Sequence, residues 1–257
     1  MLPLKIIFLG TGTSQGVPII GCECIVCTSG DPKDNRLRTS ILISYEKINI
    51  VVDAGPDFRQ QMLREGVTDL HAILLTHEHN DHIVGLDDVR PFNFRHWKNM
   101  PVYGTRNVLE EVKKRFPYIF EENPYPGSPM ITLHPVDKDT PFGIESLRFT
   151  PIEAMHGNLP VLGIRIGEFT YLTDVKTISE PELNKVIGTK TLVLNALHLE
   201  KHHSHLSLYD ALELISHIRP EQAYLTHIGH RMGLHEEVSK MLPPNVALAY
   251  DGLKINC

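Results

Sequence analysis

The chain has no apolar run approaching the roughly 18–20 residues that cross a bilayer as a helix, which argues against a helical membrane protein. It has no surplus of basic residues. Twenty-five Lys and Arg stand against 31 Asp and Glu, for a formal net charge of −6. Gripping a nucleic-acid backbone needs local positive charge to neutralise phosphates, so a nucleic-acid partner is disfavoured. Gly and Pro number 18 each in 257 residues, too few for a collagenous or low-complexity chain. No repeat of 20–50 residues is visible, which sets solenoids and propellers aside. Cysteine is scarce: of four, Cys22, Cys24 and Cys27 fall within six residues and Cys257 stands apart. So tight a C-x-C-x-x-C set serves poorly as a disulfide staple and well as thiolate ligands around one metal.

What remains suffices for one sizeable core, since 42% of the residues are hydrophobic. The run Leu4-Lys5-Ile6-Ile7-Phe8-Leu9 is too short for a secretory signal and reads as a first strand, so a reducing, cytoplasmic location is expected. Further β-branched runs predict strands over Ser40–Ser44, Ile48–Val52, Ala72–Leu75, Ser146–Thr150, Val161–Ile166, Thr191–Leu194, Ala223–Thr226 and Val246–Ala249. Helical periodicity appears at Pro56–Glu65, Asn107–Phe116, Glu180–Ile187, Ser207–Ile218 and Leu234–Met241. The distribution implies an α/β chain with two β-layers and helices outside. Pro117–Pro135 reads as a loop within a single domain spanning 1–257, because no composition shift follows it. Gly10-Thr11-Gly12-Thr13-Ser14-Gln15-Gly16 has the wrong spacing for a dinucleotide loop and reads as a turn between strands. Lys113-Lys114-Arg115 reads as a solvated helix end, where cations complement the dipole.

Histidine is the outlier, at 15 residues. The sharpest feature is Thr76-His77-Glu78-His79-Asn80-Asp81-His82, four ligand-type side chains in six residues behind an apolar strand. In extended chain, residues two apart point the same way, so His77, His79 and Asp81 are expected on one side, with His82 swinging in at the turn. A polar surface loop would account for one such residue and poorly for four. Imidazole with carboxylate suits Zn, Mn or Fe. His156, Asp174 and His227 each end a strand-like segment, and this surplus over one three-ligand site points to two metals. Asp174 is the only carboxylate of the three and the natural bridge.

His77-x-His79-x-Asp81-His82, then His156, Asp174 and His227, resembles the dinuclear site of the metallo-β-lactamase-fold hydrolases. The opening Phe8-Leu9-Gly10-Thr11-Gly12-Thr13 and the turn Asp53-Ala54-Gly55-Pro56 match the same superfamily. More narrowly, Cys22, Cys24 and Cys27 with His230, three residues after His227, are similar to the structural zinc site of the PhnP-type cyclic phosphodiesterases, as is the tail Val246–Gly252. The resemblance implies a four-layer αββα sandwich with a structural zinc loop around residues 22–27. It implies one active-site metal (Zn or Mn) on His77, His79 and His156, and a second on Asp81, His82 and His227, with Asp174 bridging. Asp53 would steady the ligands from behind. Asp81 and His205 are the candidate catalytic side chains, Asp81 inside the metal shell and His205 outside it.

The activity so implied is hydrolysis of a small phosphodiester, a cyclic ribose phosphate among the candidates, by hydroxide held between two metals. His205 would protonate the leaving alkoxide. The roles of His198, His202 and His203 stay open, and His71, His96, His134, His217 and His235 read as structural or surface residues. A tRNase Z-like nuclease would need an RNA-gripping arm, and only 17 residues separate His156 from Asp174. A thioester or lactam hydrolase of the same fold is the other alternative. A di-iron oxidoreductase fits less well with histidine at position 79, and a zinc-stabilised binding module leaves the seven other ligands idle. A homodimer is common among such relatives.

Overall fold

The computed structural model describes residues 3–257; residues 1 and 2 of the expected domain lie outside it. One sheet contains β1 (Lys5–Gly10), β2 (Ser40–Tyr45), β3 (Ile48–Val52), β4 (Ala72–Leu74), β5 (Met100–Gly104) and β6 (Ile131–Pro135) in sequential order. The other contains β7 (Phe142–Ile144), β8 (Leu147–His156), β9 (Leu159–Ile166), β10 (Phe169–Leu172), β11 (Thr177–Ile178), β12 (Thr191–Asn195), β13 (Gln222–Thr226) and β14 (Val246–Leu248). The chain then returns to the first sheet, where β15 (Lys254–Asn256) pairs antiparallel with β1. Helices α1 (Phe58–Glu65), α2 (Asn80–Ile83), α3 (Arg90–His96) and α4 (Arg106–Arg115) belong to the first half. Helices α5 (Glu180–Val186), α6 (Leu208–Ile218) and α7 (His235–Ser239) belong to the second. Among the described residues, no helix is long and apolar enough to cross a membrane.

Strands buried on both faces explain the layering. Along β1, Ile6 and Phe8 face the opposite sheet, while Ile7 and Leu9 pack with Phe58 and Met62 of α1. Along β12, Val193 joins the core between the sheets, while Leu192 and Leu194 pack with Ala211 and Ile215 of α6. Period-two alternation thus feeds three apolar layers, giving the αββα sandwich.

Three expectations need correction. Pro117–Pro135 is not all loop: it ends in β6, parallel to β5. Nor does the strand expected over Ser146–Thr150 stop before Pro151; β8 runs to His156. On its second side β8 pairs with β7 up to Phe149 and with β11 from Ala154, so Pro151 falls in the gap, where no neighbouring strand needs its missing N–H. Finally, Leu234–Met241 shortens to α7. The loop after β1 is a turn as read, with Gly16 N–H donating to the Thr13 carbonyl.

Candidate metal centre

The site lies where β4, β8, β10 and β13 end. Beyond β4 the chain bends at Thr76 and Glu78, is extended at His79 (φ −65°, ψ 146°) and then turns into α2. His77 and His79 converge as expected, though on a bent segment and without Asp81. Asp81 and His82 sit on a helical turn and point to a different place. Nitrogens of His77, His79 and His156 gather within 4.8 Å of one another, and ligand atoms of Asp81, His82 and His227 form a second such group. Asp174 groups with His77 and His82, drawn one from each set. Its Oδ1 is 3.0 Å from His227 Nε2, and its Oδ2 is 3.5 Å from His82 Nε2.

Hydrogen bonds behind the rings fix which nitrogens face the centre. Thr76 Oγ1 donates to the Asp53 carboxylate at 2.9 Å and so accepts from His77 Nδ1 at 3.0 Å. His82 Nδ1 donates to Asp53 Oδ2 at 2.7 Å, and His156 Nδ1 to the Ser204 carbonyl at 2.8 Å. Each ring thereby turns Nε2 to the centre, where His77 Nε2 lies 3.0 Å from His79 Nδ1. Asp53, Asp174 and His227 all have left-handed backbones, φ 66°, 59° and 55°. Non-glycine residues seldom adopt this conformation, and it clusters at functional sites.

His77, His82, Asp174 and His227 are buried, whereas Asp81 is half-buried and His79 is exposed. Desolvation pushes His77 well below the usual histidine range and His227 down to about 4. His82 is also buried, but Asp53 and Asp174 outweigh desolvation and hold it well above that range. Burial alone would raise Asp174; the surrounding His227 and His82 keep it well below the usual carboxylate range. Two buried carboxylates need cations close by. Yet His82 Nε2 and both ring nitrogens of His227 make no hydrogen bond. Short approaches without hydrogen-bond alignment suit donors aimed at shared cations, and this donor chemistry fits divalent metals.

Cys22, Cys24 and Cys27 place Sγ atoms 3.3, 3.4 and 3.5 Å from His230 Nδ1. Tetrahedral zinc with its usual bond lengths sets sulfur and nitrogen corners roughly 3.5 Å apart, so this set fits zinc. The Cys27 backbone N–H donates to Cys24 Sγ at 3.5 Å and leads in lowering the Cys24 thiol to about 6, whereas burial pushes Cys27 up to about 11. His230 follows the turn that presents His227.

His205 Nε2 lies 3.1 Å from Asp174 Oδ1, and its ring stacks on His227 at 4.8 Å. It thus sits against the ligand set itself. An open cleft of about 640 Å³ lies over the site, lined by His79, His156, Gly157, Asn158, Leu159, His203 and Ser204. Residue types and spacing bring out every gathered ligand; Thr76 and Ser204 escape such reading, because common hydroxyl residues carry no signal of their partners. His235 is structural, its Nδ1 3.1 Å from the buried Arg36 guanidinium.

The β-lactamase superfamily domain matches residues 48–228. A solved structure described as a new diphosphatase from the PhnP family is 37% identical, covers all of this chain and 98% of its own, and superposes with a TM-score of 0.93. The chain belongs to the β-lactamase superfamily and, within it, to the PhnP family. A Porphyromonas gingivalis protein named octanoyltransferase is 43% identical over 253 residues, covering 98% of this chain and 51% of that protein. The short form of human tRNase Z shares the fold at 17% identity and a TM-score of 0.72, covering 98% of both chains. The chain spans about half the length of the curated relatives it matches. It has the metallo-β-lactamase fold of that superfamily.

Proposed function

We propose that this protein is a hydrolase, a dinuclear, metal-dependent phosphodiesterase acting on a small diester. The observation that carries the reading is the pair of ligand sets meeting at Asp174. His77, His79 and His156 would hold one divalent cation, Zn or Mn; Asp81, His82 and His227 would hold the other, with Asp174 between them. Cys22, Cys24, Cys27 and His230 would hold a structural zinc. Bound metals would supply a hydroxide near neutral pH and offset charge on the phosphoryl oxygens. Asp53, through His82 and Thr76, keeps ring nitrogens turned to the centre. His205 Nε2, beside Asp174, is placed to give a proton to the departing alkoxide.

The cleft beside His79 and His156 supports a small substrate. Between His156 and Asp174 the chain is taken up by β9 and β10, leaving no long arm there to grip RNA. The test is a panel of cyclic and linear phosphodiesters, with thioesters, a lactam and pre-tRNA alongside, on metal-loaded protein. Turnover of bis(p-nitrophenyl) phosphate and small diesters is expected. Turnover confined to thioester, lactam or pre-tRNA would overturn the reading. A second reading, cleavage of a diphosphate linkage, is favoured by the diphosphatase that is 37% identical. A phosphate leaving group needs a proton less than an alkoxide does, so comparing His205→Ala on the two substrate classes separates them.

A further inference from the structure

His205 does not stand alone on its loop. Ser204 backbone N–H donates to His202 Nδ1 at 3.3 Å. His202 Nδ1 is therefore an acceptor, and the proton of that neutral ring is on Nε2. Ser204 Oγ lies 3.2 Å from His202 Nδ1 and 3.1 Å from His205 Nδ1, and the two Nδ1 atoms are 3.3 Å apart. As proton donor, His205 carries hydrogen on both ring nitrogens: Nε2–H faces the Asp174 carboxylate, which only accepts, and Nδ1–H meets Ser204 Oγ, whose own hydrogen is left for His202 Nδ1. Direct donation from His205 to His202 gives the same polarity. Both routes engage the Nδ1–H of that doubly protonated ring and aim its Nε2–H, the proton to be given, at Asp174.

We infer that His202, with the Ser204 hydroxyl, is the positioning residue for His205, fixing its ring so that Nε2 is the atom that exchanges the proton with the leaving oxygen. The inference rests on the reading of His205 as proton donor and adds what holds the donor in place. The surroundings support it. The His205 ring is confined by His227 on one face (4.8 Å, 16°) and by the edge-on His156 (4.3 Å). Two residues further on, Ser207 and Asp210 form the capping box of α6 and anchor the loop. His202 meets His205 at its far nitrogen and does not line the cleft, so it acts through that ring and not on substrate.

The test uses metal-loaded protein and two diesters, one with an alkyl and one with a nitrophenyl leaving group. His202→Ala is expected to lower kcat for the alkyl substrate at least about tenfold, as when the group that orients a general-acid/base imidazole is lost, with KM unchanged. The nitrophenyl substrate, whose leaving group needs no proton, is expected to turn over as before. His202→Asn should restore the alkyl reaction, because its Oδ1 can accept where Nδ1 did. Ser204→Ala leaves the backbone donor in place and tests the hydroxyl route. Independently, ¹⁵N NMR of the zinc-loaded protein should show His205 Nδ1 protonated in wild type and in His202→Asn, with that preference lost in His202→Ala. An unchanged His205 tautomer and unchanged alkyl turnover in His202→Ala would overturn the inference. If His205→Ala also spares the alkyl substrate, the proton-donor reading itself falls. If His205→Ala slows that substrate and His202→Ala does not, only the positioning role is lost.

Discussion

Asp53 Oδ2 accepts a 2.7 Å hydrogen bond from His82 Nδ1, and through Thr76 the same carboxylate governs His77. One fully buried acid thus sets the tautomer of one histidine in each ligand group. Asp53→Asn keeps the shape but presents a neutral amide. We expect metal affinity to fall about 10- to 100-fold, as when other groups behind metal-bound histidines are removed. Competition against a chelator measures it, and an unchanged affinity would show that ring packing alone orients the ligands.

The thiolate set predicts a separable metal. Metal analysis of wild type should find about three ions per chain, one structural and two in the active site. Cys24→Ser should lose one of them and lower the melting temperature, because the structural ion ties the Cys22–Cys27 loop to His230. His227 is three residues away, so turnover should fall too. A full metal count with an unchanged melt would make these cysteines ordinary thiols.

Residue spacing alone shows much of the centre. C-x-C-x-x-C and His77-x-His79-x-Asp81-His82 are local patterns, and each later ligand sits just past an apolar run. The division into two sets is less legible, since it follows from α2 starting at Asn80, and a four-residue helix leaves almost no periodic trace. Pro151 hides the second half of β8. Nothing in the composition marks the left-handed backbones at Asp53, Asp174 and His227, where side chains near the centre override local preference. The His202–Ser204–His205 contacts depend on how one loop folds back, which spacing cannot show.

Acid should weaken the metal-stripped protein. Burial pushes His227 and His235 down to about 4, and His77 well below its usual range. In the unfolded chain these rings titrate near 6.5. As pH falls from about 6.5 to about 4, the unfolded chain takes up protons that the native rings refuse, so stability drops through that window. His82 acts outside this window: its raised native value gives stabilisation that is fully present below about 6.5 and is lost only as pH climbs from there through the native value. Below about 6.5 that contribution is constant, so the depressed rings decide the sign, a net loss on acidification. Melting curves of chelator-treated protein across the window check the sign, and a flat or rising profile would contradict it.

Gly55 gives the sharpest test of how the fold holds the second ligand set. A Cβ built there would collide with the Asp81 backbone carbonyl. The same turn grips α2 and its exit: Ala54 N–H donates to the His82 carbonyl at 2.7 Å, and Gly85 N–H to the Ala54 carbonyl at 2.8 Å. Backbone cannot yield as a flexible side chain would, so Gly55→Ala must push α2 away from β3, at a cost of about 1–3 kcal/mol. The displacement falls on Asp81 and His82, while His77, His79 and the cysteine set keep their supports. The variant should therefore fold with lowered stability in denaturant and retain about two metals per chain, the missing one being the ion held by Asp81, His82 and His227. Loss of the zinc instead, or a full complement with native stability, would show that α2 is not held by this contact.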